Sequence, residues 1–584
     1  MALVPIQFQA GIYKESAELA AGRRGRWSDG NLVRFYKGQP QTIGGWTTVS
    51  NSNSVVGVVR SVLPWVGNDN TKNLAVGSHL RLYIWRNNTF FNVTPLRDSG
   101  TLGSNPFTTT ASSAVVTVND TSHGVSVNDF VIFSGATAVG GITIDGEYQV
   151  TSFVDSDNYT ITHSSAASSS ATGGGASVTY EYEIPVGSSE GFFGGGWGSG
   201  SWGMGTWGTP RTGNIFFAAR TWALDTAGED LFANPRGGGI YTWDLSVGTA
   251  TRAAVVSNAP TTSEFLIVSP QARHLISLGA DGDRMLIKWA SSNDFTDWTP
   301  TAQNTAGDYR LDDGSRIISA IRTTQNEILI FTDTAVYTLA YVGPPFVFRI
   351  SQIAANIGIA GPNACGSFGN VVWWMTTENF FVYDGTVRVL PSDVRDFVIE
   401  SLEIDQRAKI YCSVNREWDE IWWFYQDTSA SENNRYVAYN FVDQNWHIGA
   451  LERTAFADVS EAFREIVALD SSGNMFSHER TDVSPDGAYL EGDFDYDNGE
   501  NFVFSNRFIP EFDYNSGTVN LTMTSKRYPS STTTVSKGPF AMTSTTEKVD
   551  FRIRGRQLGI RLDSDGTRWR LSSGRLRVVA SGKQ

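Results

Sequence analysis

The chain reads as mainly β: a β-propeller of six blades, or seven, with an inserted small β-barrel or sandwich and a C-terminal β-sandwich. Three observations predict this. First, seven short segments look like versions of one phrase: Leu82-Tyr-Ile-Trp85, Ile240-Tyr-Thr-Trp243, Met285-Leu-Ile-Lys-Trp289, Val336-Tyr-Thr-Leu339, Phe380-Phe-Val-Tyr383, Tyr436-Val-Ala-Tyr439 and Met475-Phe476. From Ile240 onward they recur roughly every 40–55 residues, the period of a four-stranded blade. Second, the runs between them alternate apolar and polar residues and end in polar turns, as half-buried strands do. Third, one stretch alone has a good amphipathic helical pattern. Seven phrases fit seven blades, or six with one phrase in a flanking domain; six is the favoured count.

In chain order, residues 1–50 read as an N-terminal arm, and residues 51–98 and 186–483 as the propeller. Residues 99–185 form an insertion bounded by Ser/Thr/Gly-rich hinges, one of them Ser164-Ser165-Ala166-Ala167-Ser168 and its continuation to Gly175. Inside it Val115-Val116-Thr117-Val118, Phe130-Val131-Ile132-Phe133 and Tyr159-Thr160-Ile161 read as strands. The pentad Gly-x-Trp-Gly-x then repeats three times, carrying Trp197, Trp202 and Trp207. A period of five with glycines beside each indole suits neither helix nor strand, so a looped finger is expected. It would pack against a neighbouring subunit or blade, or stack on sugars or bases, or pack locally.

Ser392 or Asp393 can cap the helix, whose Val394, Phe397, Val398 and Leu402 fall on one face. From about Ser484, alternating runs such as Val519-Asn-Leu-Thr-Met523 predict the separate sandwich of residues 484–584.

Composition narrows the function classes. Charged residues make up 18% of 584, aromatics 12%, and there are 58 glycines. A surface this poor in charge is expected to be covered by partner subunits. The net charge of -15 argues against a protein that grips nucleic acid, though not against a conduit that DNA passes without sticking. The opening Met1-Ala-Leu-Val-Pro-Ile-Gln-Phe lacks a basic region leading into an apolar one, so no secretory leader is expected. No run approaches the roughly 18–20 apolar residues of a membrane span. Cys365 and Cys412 read as buried small hydrophobes.

Chemistry-bearing patterns are weak. Ser291-Ser-Asn293-Asp-Phe295-Thr-Asp297-Trp298 loosely resembles an Asp-box hairpin, but Phe295 stands where that turn has glycine. Asp493, Asp495 and Asp497 have calcium-loop spacing, yet the twelfth position is Phe504. The six histidines lie at no ligand or dyad spacing, and no Gly-rich loop ends in Gly-Lys-Ser/Thr. No catalytic residue, metal or cofactor is therefore assigned. Two basic groups remain, Arg23, Arg24 and Arg26 ahead of Trp27, and Arg552, Arg554 and Arg556, which alternate and so share one face of a strand. Pairing within or between subunits, DNA contact and a solvated face are the three readings of these arginines.

Several phrases occur in an order that resembles a known family. They are Gly25-Arg26-Trp27-Ser28-Asp29 with Val33-Arg34-Phe35, Ile43-Gly44-Gly45-Trp46, the Gly-Trp finger, Asp294-Phe-Thr-Asp-Trp298-Thr-Pro300, Phe331-Thr-Asp-Thr-Ala-Val-Tyr337, Gly473-Asn-Met-Phe-Ser-His478-Glu479 and Asp550-Phe-Arg-Ile-Arg-Gly-Arg556. The chain is similar to the tail nozzle, or tail tubular, proteins of short-tailed phages. The resemblance implies a homohexamer in the virion tail below the head-to-tail adaptor, contacts with tail fibres or spikes, and double-stranded DNA passing through the lumen unbound. The insertion is not a dependable part of that pattern, and docking a fibre or host glycan is the role expected of it. Arg23, Arg24, Arg26, Trp27, Trp197, Trp202, Trp207, Arg552, Arg554 and Arg556 are the expected subunit or partner contacts. The other function class is a carbohydrate-binding or depolymerising propeller at the tail tip.

Overall fold

Seven strands pack side by side in a closed circle, each the first strand of its own four-stranded antiparallel sheet. They are Val59–Val66, Trp222–Ala227, Phe265–Val268, Ile317–Arg322, Cys365–Phe368, Tyr411–Asn415 and Ala455–Ala457, and the last packs back against the first. This computed structural model describes residues 2–6, 8–15, 21, 25–194, 215–323, 327–495, 501–528 and 531–582. The fold is mainly β, with helix in short pieces such as Arg395–Ser401.

Each of the seven phrases lies on the third strand of one sheet, from Leu82–Arg86 in the first to Met475–Arg480 in the seventh. The third strand must be apolar on both faces because it meets the sheets before and after it, which is why the phrase repeats. Separate clusters fill the gaps: Trp65, Ile84, Trp222 and Trp243 between the first and second sheets, and Ile276, Ile287, Ile330 and Tyr337 between the third and fourth. No sheet could hide both faces alone, and fully burying each large side chain is worth about 1.5–3 kcal/mol.

The expected six blades are corrected by these seven four-stranded sheets among the described residues. In the seventh, the strands Ala455–Ala457, Ile466–Leu469 and Met475–Arg480 are completed by Gly45–Thr48 from the other end of the chain. Thr48 pairs with Phe476 and Thr47 with Ser477. The ring is thus closed by a strand that precedes the first sheet in sequence, and all seven phrases belong to the ring, none to a flanking domain.

Residues 1–50, read as an arm, are strands of larger sheets. Ala2–Pro5 pairs with Trp569–Ala580, and Asp29–Asn31 with Ala488–Asp495. Val33–Tyr36 and Gln39–Thr42 extend the sheet that holds Val503–Asn515, Val549–Gly555 and Trp569–Ala580. A second sheet holds Ala488–Asp495, Gln557–Ser564, Val519–Lys526 and Thr534–Met542. These two sheets lie beside the outer strand of the sixth sheet, Asn445–Ala450.

The insertion is one curled eight-stranded sheet running from Leu96–Thr101 to Thr179–Glu183, with a core of Phe107, Val116, Val131, Phe133 and Tyr159. Its long strand Gly146–Asp155 is shared by both halves, and register shifts near Ser152 and Asp155 bend it. In the helix Arg395–Ser401, Val394 occupies the cap position without a side-chain cap bond. Ser392 Oγ accepts from the Val394 N–H at 3.2 Å, while Val394, Val398 and Leu402 are buried.

Candidate functional site

Among the places where polar chemistry gathers inside the apolar frame are the closure of the ring and the inner wall of its fourth to seventh sheets.

At the closure, Arg34 is fully buried and gives two guanidinium nitrogens to Glu479, at 2.8 and 2.6 Å. One of those nitrogens also lies 3.0 Å from Glu420 of the sixth sheet. Glu420 accepts from Trp422 Nε1 at 2.9 Å and faces His447 Nε2 at 3.0 Å. Burial alone would depress the Arg34 guanidinium, but Glu420 and Glu479 raise it. Burial would raise the Glu420 carboxyl, and Arg34 and His447 outweigh it and hold it below the usual carboxylate range. The next residue pair repeats the pattern with a neutral base. Trp46, on the closing strand, stacks on His478 at 5.3 Å between ring centroids, and Arg453 Nε donates to His478 Nε2 at 2.7 Å. Burial, with the charge of Arg453, drives the His478 imidazole well below its ordinary value.

On the inner wall lies a cavity of about 590 Å³ at the end where the first strands finish. Arg322, Phe368, Tyr411, Ser413, Arg416 and Asp458 are among the residues that line it. Arg416 Nε pairs with Asp458 at 2.5 Å, and Arg322 pairs with Asp225. Burial pushes the Asp458 carboxyl above its ordinary range in spite of Arg416. At the opposite mouth the chain crosses the ring. Gly187 N donates to His79 O at 2.9 Å, Arg60 bonds Ser189 O at 2.8 Å and Glu432 at 2.6 Å, and Gly191 exchanges two bonds with Gln406. From there Phe192–Gly194 pairs with Ile215–Phe217. This short ladder flanks the stretch that carries Trp197, Trp202 and Trp207, which lie outside the described residues, as do Arg23 and Arg24.

Of the remaining residues expected at partner contacts, Arg26, Trp27, Arg554 and Arg556 have contacts within the chain. Arg26 donates to Ala10 O at 2.6 Å and pairs with Asp393 at 3.2 Å. Trp27 is 3% exposed and packs on Phe8 with ring centroids 4.3 Å apart. Arg552 and Arg554 stand exposed on one face of Val549–Gly555, as alternation requires, whereas Arg556, expected on the same face, lies past the end of that strand and is half-buried. Arg554 and Arg556 both lie over the Phe502 ring, and Arg554 also bonds Ser581.

The Asp-box-like turn is closed by Trp298, whose Nε1 donates to Phe295 O at 2.8 Å, while Phe295 packs on Phe232 of the second sheet. Asp493 sits on a regular strand, its Oδ2 accepting from Gln557 at 2.7 Å and from Lys526 at 3.3 Å; Asp497 lies outside the described residues. Cys412 is buried on the first strand of the sixth sheet, next to the Cys365 strand.

Sequence reasoning gave no role to Arg34, Glu420 or Glu479. Their signal was present in the run Glu420-Ile-Trp-Trp-Phe-Tyr425, where a carboxylate opens a strand otherwise wholly apolar. Such a charge demands a buried partner.

No protein-family model and no curated protein matches the chain. Among solved structures, PorZ, a bacterial surface component of the type-IX secretion system of Porphyromonas gingivalis, aligns at 10% identity over 90% of this chain and 82% of its own, with a TM-score of 0.30. An exo-β-1,3-galactanase of Phanerochaete chrysosporium aligns at 9% identity over 63% of this chain and 97% of its own, TM-score 0.24. The phage phi92 endosialidase aligns at 10% identity over 73% of this chain, TM-score 0.19, and the match spans 63% of the endosialidase chain. Similarity at this level specifies neither an activity nor a ligand.

Proposed function

We propose that the chain is a structural subunit of a short-tailed phage tail, a nozzle protein built on a seven-bladed propeller, several copies of which surround the path of the genome. The observation that carries the reading is that phrases resembling the nozzle family, far apart in sequence, form one device. Arg34 of Val33-Arg34-Phe35 pairs with Glu479, Trp46 of Ile43-Gly44-Gly45-Trp46 stacks on His478, and both partners belong to Gly473–Glu479.

The propeller's own axis does not serve as the bore, because residues 187–191 bond across one mouth and the central channel of a single propeller is narrow. A path for duplex DNA is made between copies, and an acidic chain of charge -15 repels the duplex instead of holding it. Head-to-tail adaptor and fibre or spike would dock on the same ring. Native mass spectrometry of the chain, alone and mixed with the adaptor, tests this. A closed hexamer in either condition is expected, and a monomer in both contradicts it.

The second reading, a carbohydrate-binding propeller at the tail tip, is favoured by a different observation, the cavity of about 590 Å³ on the inner wall. Binding of saccharides by a hexameric ring would reconcile the two; cleavage of a polysaccharide by a monomer would replace the first.

A further inference from the structure

We infer that the inner-wall cavity of the fourth to seventh sheets is a binding site for an uncharged saccharide, an inference that rests on the carbohydrate-binding reading and gives it a location and a ligand class. Size comes first: about 590 Å³ accommodates a disaccharide and falls within the range of small-ligand sites. The lining then selects the chemistry. Phe368 stacks on Phe441 with ring centroids 5.7 Å apart and is still 40% exposed, so the part of the ring left uncovered at the rim is where the C–H face of a pyranose can rest.

Around it stand groups suited to hydroxyls. Arg416 commits Nε to Asp458 and Nη2 to Val459 O, leaving Nη1 to donate to a ligand oxygen. Asp458 accepts from Arg416 on one oxygen and from the Val459 N–H on the other, and each oxygen keeps a lone pair for a ligand hydroxyl. Ser413 Oγ, which donates to Val414 O at 3.5 Å, adds an acceptor. Adjacent donors and acceptors of this kind match vicinal hydroxyls, each of which donates once and accepts.

Charge decides between a neutral and an anionic ligand. The two arginines of the wall, Arg322 and Arg416, are each matched by a carboxylate, Asp225 and Asp458. An anion would therefore meet no uncompensated cation and would lose hydration for little return. A phosphate or an acidic sugar is disfavoured; a neutral polyhydroxylated ring is not.

Saturation-transfer NMR on the full chain tests the site, using maltose, cellobiose and lactose as neutral probes and inorganic phosphate, galacturonate and N-acetylneuraminate as charged ones. At least one neutral disaccharide is expected to bind, with affinity falling at least tenfold in Arg416→Met and in Ser413→Val, and unchanged in Arg388→Ala, whose side chain is exposed outside the cavity. Circular dichroism and melting curves identify any variant that fails to fold, and the two cavity variants are independent of each other. Neutral saccharide bound equally by the folded cavity variants would overturn the site while leaving the carbohydrate reading intact. Absence of binding by every neutral probe, or preference for the charged ones, would overturn both.

Discussion

Arg34 and Glu479 form a two-nitrogen, two-oxygen ion pair across 445 residues of sequence, and through it the chain's N-terminal strands are locked to the last sheet of the ring. The pair is buried with Glu420, so it matters chiefly for what its removal would leave behind.

Arg34→Met strands two buried carboxylates. Loss of one partner of a buried ion pair typically costs about 3–5 kcal/mol, and a lower urea midpoint at unchanged m, equivalent to a loss of that size, is expected. The triple variant Arg34→Met, Glu420→Gln, Glu479→Gln should recover much of the loss, because no isolated charge remains. A triple variant no more stable than the single one would show that the ions are not the source of the effect.

Acid should loosen the fold before its carboxylates titrate. Burial holds the imidazoles of His478, His274 and His79 below their ordinary value, His79 at about 4. In each case the unfolded chain takes up a proton near pH 6.5 that the folded chain refuses, so stability is full above that pH and falls as pH drops toward the folded values. Each histidine contributes a slope of about 1.4 kcal/mol per pH unit within its window. In His478→Gln, whose amide oxygen still accepts from Arg453, unfolding measured between pH 6.5 and 5 should show a slope smaller by about one proton. An unchanged slope would mean that His478 is protonated in the folded chain.

Gly44 has no room for a side chain. A methyl there would sit 2.6 Å from the Glu479 backbone, in the place where the closing strand meets the seventh sheet. Gly44→Ala should cost about 1–3 kcal/mol by overpacking, readable as a lower melting temperature. A neutral result would indicate that the strand is free to move away.

Calcium should have no effect through Asp493. Its carboxylate is already held by Gln557 and Lys526 on a strand, a geometry unlike a calcium loop. Melting curves with calcium and with a chelator are expected to coincide, and a shift of several degrees would contradict this assignment.

Much of the frame was legible because burial on two faces forces a repeating apolar phrase, and each phrase marks one sheet. The count was less legible. Gly45–Thr48 belongs to a sheet whose other strands lie more than 400 residues onward, and spacing rules see only neighbours. The same blindness made strands look like an arm in residues 1–50. At the closure, Trp46 and His478 gave no local hint of each other, whereas the paired arginine face of Arg552 and Arg554 could be read from alternation alone. The cavity was illegible for a related reason: Arg322, Phe368, Arg416 and Asp458 come from four sheets, and only the ring brings them to one wall.

Closure of the ring by the N-terminal strand is tested most directly by a cross-link between Thr47 and Ser477, which lie opposite each other in the register. Antiparallel partners stand about 4.5–5.5 Å apart at Cα, within reach of a disulfide. In a chain carrying Thr47→Cys and Ser477→Cys, with Cys365 and Cys412 replaced by serine, mild oxidation followed by mass spectrometry should find the two cysteines joined within one chain in nearly every molecule. Free thiols, or bonds only between chains, would contradict the closed ring.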